Sequence, residues 1–351
     1  DQKTIPVMME HKVKNASIIL TGANGRIGLE TVKQLIKLSP KRIVLACRTI
    51  EKATEAIKKI EKSAVKLEPF GGFDMNNRDS IANAVAGLPE KEKFDIVFLQ
   101  SGGMVVADDF QFINANGKKI ERTIYQNVFG GYNTVLELKK QGLLADNARI
   151  VFAGGEGARG IKGMIKKPEF KHPEEINQYI YSGNGSYNDL NAIGVSKFMS
   201  ALLVQKLAVL DKQHTYVWFS PGLTAGTKGL INVPQPKRFV MEKVGFPMIQ
   251  LFGLAQNPRL AAKKYADCLD GKYGKNGDLI GAPEGKALGK LVDQKPMNKG
   301  LTNRQFRDTF WKIIKDNCGD ISFKLVKYQR LLLVRHSVNV NEPSHKVGCV
   351  S

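Results

Sequence analysis

Short apolar runs recur along the first 220 residues, each followed by a stretch whose apolar positions fall three or four apart. The runs lie at 16–20, 42–47, 66–70, 95–99, 149–153 and 215–219, and most are dense in Val, Ile, Leu or Phe. Runs of this kind suit strands covered on both faces of a parallel sheet. The intervening stretches 29–38, 50–63, 80–85, 120–140 and 190–210 carry the helical period. Past 220 the pattern loosens. Residues 221–247 read as loop with short helical pieces, 257–269 as helix and 278–282 as a last strand. A strong amphipathic helix follows at 303–316, with Phe306, Phe310, Trp311 and Ile314 on its apolar face. From 331 to the end no clear pattern survives, although 331–334 could add one strand or dock elsewhere.

Strands alternating with helices predict an α/β fold, a doubly wound parallel sheet of Rossmann type with right-handed crossovers. The expected organisation is an N-terminal extension over 1–13 and a main domain over 14–318 with an extended, partly helical C-terminal region. A tail over 319–351 completes the chain. At 351 residues there is enough length to bury a sizeable core.

The first strand-helix unit carries the most specific chemistry. Thr21-Gly-Ala-Asn-Gly-Arg-Ile-Gly28 follows the first strand and opens the first helix, so glycines fall at 22, 25 and 28. A glycine turn in that position lets the backbone approach a pyrophosphate and aims a helix N-terminus at its charge. The spacing therefore predicts dinucleotide binding through Gly22, Asn24, Gly25, Arg26, Ile27 and Gly28. Arg48 closes the second strand, where a carboxylate would favour NAD and an arginine accommodates a 2′-phosphate. With Arg26 nearby, the expected cofactor is NADP(H). Phe73-Asp74-Met75 follows the third strand region, placed to bracket an adenine with Asp74 accepting from its amino group. Ser101 and Gly102 follow the fourth strand and would let the backbone approach a ribose.

Composition narrows the partners only a little. The formal charge of +20 favours an acidic protein or an anionic membrane surface, although the Lys and Arg residues are scattered as on a solvated face. No nucleic-acid-binding motif is present, so no specific nucleic acid is expected. No run is read as long enough for a membrane span. Cys47, Cys268, Cys318 and Cys349 lie far apart, and the five histidines form no ligand pair, so neither a disulfide framework nor a metal site is expected. A reducing compartment fits, either an organelle (chloroplast or mitochondrion) or the cytoplasm. A removed presequence and a truncated start account equally for Asp1 as first residue.

With its glycine turn, its Gln100-Ser-Gly-Gly103 segment and Asn191-Ala-Ile-Gly-Val-Ser-Lys197, the chain resembles the short-chain dehydrogenase/reductase superfamily over roughly residues 14–230. Leu45-Ala-Cys-Arg48 and the 221–230 segment are most similar to the branch of protochlorophyllide reductases and retinol-dehydrogenase-like enzymes. The resemblance implies that Lys197 holds the nicotinamide ribose and that Asn127 anchors a water in a proton relay. It implies that Pro221, Gly222 and Thr224 cover the nicotinamide carboxamide. It also implies a tyrosine acid four residues before Lys197 and a serine after the fifth strand. Those positions read Ile193 and Gly155 here. Loss of a general acid removes about 10²–10⁴-fold in rate, and loss of an oxyanion donor about 10²–10³-fold.

Three readings follow. The chain is a pseudoenzyme that keeps its nucleotide as a structural or sensing ligand, for instance as an accessory subunit of a larger assembly. It transfers hydride where no tyrosine is needed, for instance to a C=C bond. Or it uses a relocated tyrosine, with Tyr187 the first candidate and Tyr181 and Tyr179 behind it. Glu156 and Arg159 are the other ionisable residues expected near the ring, unless both are solvated loop charges. Residues 225–254 carry Phe239, Met241, Val244, Phe246, Met248, Ile249 and Phe252. They form either a lid over a small apolar substrate or a surface for a partner protein subunit.

Overall fold

Residues 11–89, 92–225 and 255–322 are described by a computed structural model of the chain. The first strand, β1 (Ser17–Thr21), is buried along its whole length. It leads into α1 (Arg26–Ile36), which turns Thr31, Val32 and Leu35 inward. The alternation continues through β2 (Arg42–Ala46), α2 (Ile50–Lys58), β3 (Lys66–Phe70), α3 (Arg78–Ala86) and β4 (Phe94–Leu99). Later come β7 (Leu144–Ala153), α7 (Asp189–Leu210), β8 (Thr215–Phe219), α8 (Pro258–Leu269), β9 (Leu279–Gly281), β10 (Val292–Asp293) and α9 (Arg304–Cys318). An antiparallel hairpin, β5 (Phe112–Ala115) with β6 (Lys118–Glu121), stands apart from the main sheet.

The main sheet runs β10-β9-β8-β7-β4-β1-β2-β3 and is parallel except for the β10 edge. The strand order reverses between β1 and β4, and a crevice at such a switch point is where doubly wound sheets bind ligands. Alternate residues of the strands form one face of the core. Ile18, Leu20, Ile43, Leu45, Ile96, Phe98, Val217 and Phe219 pack there with Val32 and Leu35 of α1 and Leu269 of α8. On α5 (Gly130–Lys140), Gly131 is close enough to Phe152 and Leu99 that an added methyl would touch both.

Several expected elements change shape. The helix anticipated over 120–140 starts as strand, because Ile120 and Glu121 belong to β6. The buried Glu121 carboxylate then accepts from the amides of Thr123 (2.9 Å) and Ile124 (2.7 Å), opening the single turn α4 (Arg122–Ile124). A π-helical turn, Tyr125–Phe129, intervenes before α5. Asn127 within it inserts its side-chain amide against the Thr123 carbonyl (2.8 Å), and insertion into the ladder is a recognised cause of such irregularity. The second helix stops at Lys58 rather than 63, leaving Glu61, Lys62 and Ser63 as an exposed connection. The hairpin, β10 and α6 (Pro173–Ser182) were not anticipated.

One helix departs from the expectation that no segment is apolar enough for a membrane. Asp189–Leu210 meets the requirement by length and composition, with a mean hydropathy of 1.5. It is apolar on every side because it is a core helix, 72% buried and packed against β8 and α9. The three described cysteines, Cys47, Cys268 and Cys318, are buried free thiols. Two compact units divide the chain, Asp1–Ile321 and Ser322–Ser351. Apart from Ser322, the second unit lies outside the described residues, as does most of the expected lid at 225–254 and the segment 331–334.

Candidate functional site

The C-terminal ends of β1, β4, β7 and β8 converge on one edge of the sheet, and each carries a glycine-containing turn. At β1, Gly22 adopts φ +73°, and its amide donates to Ala46 O at 3.0 Å. Gly25 donates back to Gly22 O at 3.0 Å, and the helix ladder begins with Leu29 N on Gly25 O at 2.8 Å. A Cβ on Gly28 would lie 2.3 Å from Gly22 O, so this turn admits no side chain there. The first turn of α1 holds no acidic residue, and Gly25 offers no capping side chain. Its amides therefore retain the electropositive character that attracts phosphate. Thr21 stitches the crevice: its hydroxyl accepts from the amides of Gln100 (3.0 Å) and Ser101 (3.1 Å), tying β1 to the end of β4. Asn24, Arg26 and Ile27 sit on this turn, with Arg26 exposed.

Arg48 is 63% exposed at the end of β2, with its Nε 4.0 Å from Asp74 Oδ1. The structure thus brings Arg48 and Asp74 together beyond the end of β2. Asp74 also accepts from Asn76 N at 3.1 Å. Phe73 is buried against Phe70 and belongs to the core rather than to an adenine bracket. Met75 is buried where a Cβ on Gly130 would strike it.

Beyond β4, Gly102 and Gly103 adopt φ +143° and +145°, and a Cβ on Gly102 would fall 2.4 Å from Asn127 Oδ1. Asn127 clamps this loop from the π turn. Its Oδ1 accepts from Gly103 N at 2.9 Å and its Nδ2 donates to Gly103 O at 2.8 Å. Gln126 Nε2 donates to the same carbonyl at 2.7 Å.

After β7, Gly154 is pinned by the Trp218 ring, which a Cβ would approach to 2.6 Å. Gly155 is different: its backbone is extended, and a Cβ would meet only the Lys197 stem, at 3.2 Å from Cγ. Lys197 Nζ donates to Ala153 O at 2.8 Å. Burial draws the Lys197 ammonium pKa down to about 8. Ile193 lies one helical turn earlier on the same face of α7.

Pro221 and Gly222 leave β8, with Gly222 at φ +101°. Gln256 Nε2 (2.7 Å) and Lys264 Nζ (2.9 Å) both donate to Pro221 O. Thr224 donates to Gly222 O at 3.1 Å and bridges to Gln256. Glu156 and Arg159 are buried in this region, not solvated loop charges. Glu156 accepts from Ser220 Oγ at 2.7 Å and from Ala282 N at 3.1 Å, joining the loop after β7 to the ends of β8 and β9.

A family profile described as short chain dehydrogenase matches residues 16–164. Over that segment the chain is similar to the short-chain dehydrogenase/reductase superfamily. A short chain dehydrogenase of Emericella nidulans, atnD, is 26% identical over 41% of this chain and 47% of its own length. The chain thus spans about half of that relative. A short chain dehydrogenase of Arthrobotrys oligospora is 28% identical over 65% of this chain and 72% of its own length. Among solved structures, an uncharacterized protein from Mycobacterium paratuberculosis superposes with a TM-score of 0.60. It covers 91% of this chain and 98% of its own at 15% identity, a likeness of fold alone.

That superfamily is one of oxidoreductases that bind NAD(P)H. In this chain Lys197, Asn127, Gly155 and Ile193 gather where the loops after β4 and β7 meet α7. The tyrosines weighed as substitutes for Ile193 are all engaged. Tyr187 donates to Val105 O at 2.6 Å, lies 3.3 Å from the Thr123 hydroxyl and packs edge-on against Phe110. Burial raises its pKa. Tyr179 packs against Phe110 and Phe170, and Tyr181 accepts from Asn317 Nδ2 at 3.0 Å. Sequence reasoning missed the Lys264–Pro221 contact and the Glu156 cluster, because neither belongs to a short motif.

Proposed function

We propose that this chain binds NADP(H) in the cleft above β1 and β4 and is a catalytically atypical oxidoreductase. The observation that carries the reading is the glycine turn, which has no space for a Cβ at Gly28 and presents an α1 N-terminus free of acidic residues. Those residues fit a dinucleotide pyrophosphate. Arg48, exposed beside Asp74, supplies the charge suited to a 2′-phosphate, while Ser101 and Gly102 line the ribose side. Lys197 is positioned to donate to ribose hydroxyls, and Pro221, Gly222 and Thr224 to line the nicotinamide side.

Bound, the cofactor supplies a hydride donor or acceptor. The chain's own part is to orient it and exclude water. At the reaction side the ordinary proton donors are replaced by Ile193 and Gly155, which can neither give nor take a proton. Reduction of ordinary aldehydes and ketones is therefore weak, and the substrate favoured is apolar. The same two residues favour a second reading, a silent accessory subunit whose nucleotide stabilises the fold.

A thermal melt with each nucleotide tests the cofactor reading. A ligand at a hundredfold excess over its Kd adds about 2.7 kcal/mol of stability. NADPH is expected to raise the melting temperature by several degrees and NADH by less. Unchanged melting with both would remove the reading. Turnover of an apolar enone panel with NADPH separates the enzyme from the accessory subunit.

A further inference from the structure

Two adjoining hollows open between the 159–167 loop and the 283–288 loop, with volumes of about 150 and 290 Å³. Their floor is apolar, formed by Ile161, Ile165, Leu223 and Met297, with Met164 at the lip. Met164 is one of few large apolar side chains left exposed among the described residues. Around this floor stand Lys162, Lys167 and Lys286, and Arg159 reaches both hollows. Glu284 lines the larger hollow only.

Arg159 is the unusual member. It is buried, yet its guanidinium is held by an amide and by carbonyls rather than by a carboxylate. Nε donates to Gln294 Oε1 at 2.9 Å, and the terminal nitrogens donate to the carbonyls of Gly160, Ala282, Pro283 and Lys286. Neutral acceptors satisfy its hydrogens, and no carboxylate is in direct contact with it, although burying a charge without such a partner is costly. Burial lowers its pKa, and the charges of Glu156 and Glu284 oppose that shift. The walls are also preformed. Gly160 packs so closely on Lys167 that a Cβ would sit 2.8 Å from its backbone. Ile161 pairs with Ile165 across the loop, and Asn298 Nδ2 ties Ala158 O to Pro168 O. Leu223 directly follows the Pro221–Gly222 turn, while Ile165 presses on Gly194, the neighbour of Ile193.

We infer that this groove is a binding site for an apolar organic anion, an unbranched or flat carboxylate whose hydrocarbon body covers Ile161, Met164 and Leu223. Its carboxylate lies among Lys162, Lys286 and the fixed charge of Arg159. As a ligand site it stands by itself; as the substrate site it rests on the oxidoreductase reading above.

Calorimetry on the full chain with decanoate, decanol and decylamine, below their aggregation limits, tests it. Charge-assisted contacts are worth about 1.5–3 kcal/mol, so decanoate is expected to bind at one site about tenfold or more tighter than decanol. Decylamine is expected not to bind. Lys162→Glu with Lys286→Glu should remove the preference for decanoate over decanol, and Met164→Asp should weaken both. All three substitutions are at exposed positions and leave the fold intact. Equal affinity for decanoate and decanol, several weak sites, or a preference unchanged in the charge-reversed variant would each overturn the proposal. NADPH-induced stabilisation, measured on the same variants, is expected to persist. Its absence from the wild type would instead count against the cofactor reading.

Discussion

The turn after β1 and the loop after β7 leave the same edge of one sheet, two strands apart, and both are rich in glycine. Their glycines exist for different reasons. At Gly28 an added carbon would collide with a backbone carbonyl at 2.3 Å, and no rotamer relieves that contact. At Gly155 the backbone is extended and the carbon would meet only the flexible Lys197 stem at 3.2 Å. Glycine is obligatory in the first place and optional in the second. A side chain at 155 would meet no backbone atom, only the Lys197 stem, which would have to give by a few tenths of an ångström. The shape of the first turn is thus enforced by backbone sterics, whereas at 155 it is a flexible side chain that sets the limit.

That contrast is open to direct attack. The largest expected effect is a gain. Ile193→Tyr with Gly155→Ser should raise NADPH-dependent reduction of a generic aldehyde by about 10²–10⁴-fold, the usual worth of a positioned general acid. Initial rates of NADPH oxidation check it. A wild type already as fast as the double variant would mean that another group delivers the proton. Gly28→Ala attacks the other side. Its clash should weaken NADPH binding by about a hundredfold, equivalent to about 2.7 kcal/mol. Gly155→Ser alone should leave NADPH affinity within about threefold, roughly the 0.5 kcal/mol scale of an accommodated substitution. Calorimetric titration of both variants decides whether the two glycines differ as argued.

Lys197 joins the two regions and gives a smaller effect of readable sign. Its folded pKa, about 8, lies below the ordinary 10.5 because burial disfavours the ammonium. Between those values the unfolded chain binds the proton more readily, so stability rises with pH through that window. At pH 7 the buried charge is a liability. Lys197→Met should therefore stabilise the unliganded protein at pH 7, by about 1–2 kcal/mol after discounting for partial exposure. It should also flatten the pH dependence between 8 and 10 and weaken NADPH binding. Urea melts at pH 7 and pH 10 test this. A variant less stable at pH 7 would mean that the hydrogen bond to Ala153 O outweighs the burial.

The succession of the main strands and the glycine turn were legible because each depends on local sequence, whereas Asn127 and Lys197 stood out only through the family resemblance. Apolar runs bounded by turns mark parallel strands, and the turn's spacing is itself a steric requirement. The β5–β6 hairpin had a readable signal that went unused: Asn116-Gly117 adopts φ +48° and +75°, the dipeptide favoured in two-residue hairpin loops. Pro173 at the start of α6 and Gly183 at its end were similar signals. The broken helix at 120–140 was not legible, since the interruption depends on Asn127 reaching a loop that follows β4. Glu156 and Arg159 also could not be placed from sequence. Their partners, Ser220, Ala282, Gln294 and Lys286, come from segments whose proximity only the closed sheet creates. Local pattern therefore located the glycine turn better than it located the buried polar cluster beside the loop after β7.

Tyr187 offers the smallest and most discriminating test. Its proton is committed to Val105 O, and its ring packs against Phe110. Removing the hydroxyl by Tyr187→Phe keeps the ring contact and deletes the hydrogen bonds to Val105 O and Thr123 Oγ1, a change worth about 1–2 kcal/mol. The expected outcome is that modest destabilisation with any NADPH-dependent turnover unchanged within twofold, since Ile193 rather than Tyr187 faces the Lys197 turn of α7. A relocated acid would behave otherwise: turnover would fall by about 10²–10⁴-fold while the melting temperature moved little. Activity and stability therefore respond in opposite proportion under the two readings. One variant, measured both ways, decides whether the 183–188 segment supplies a proton donor.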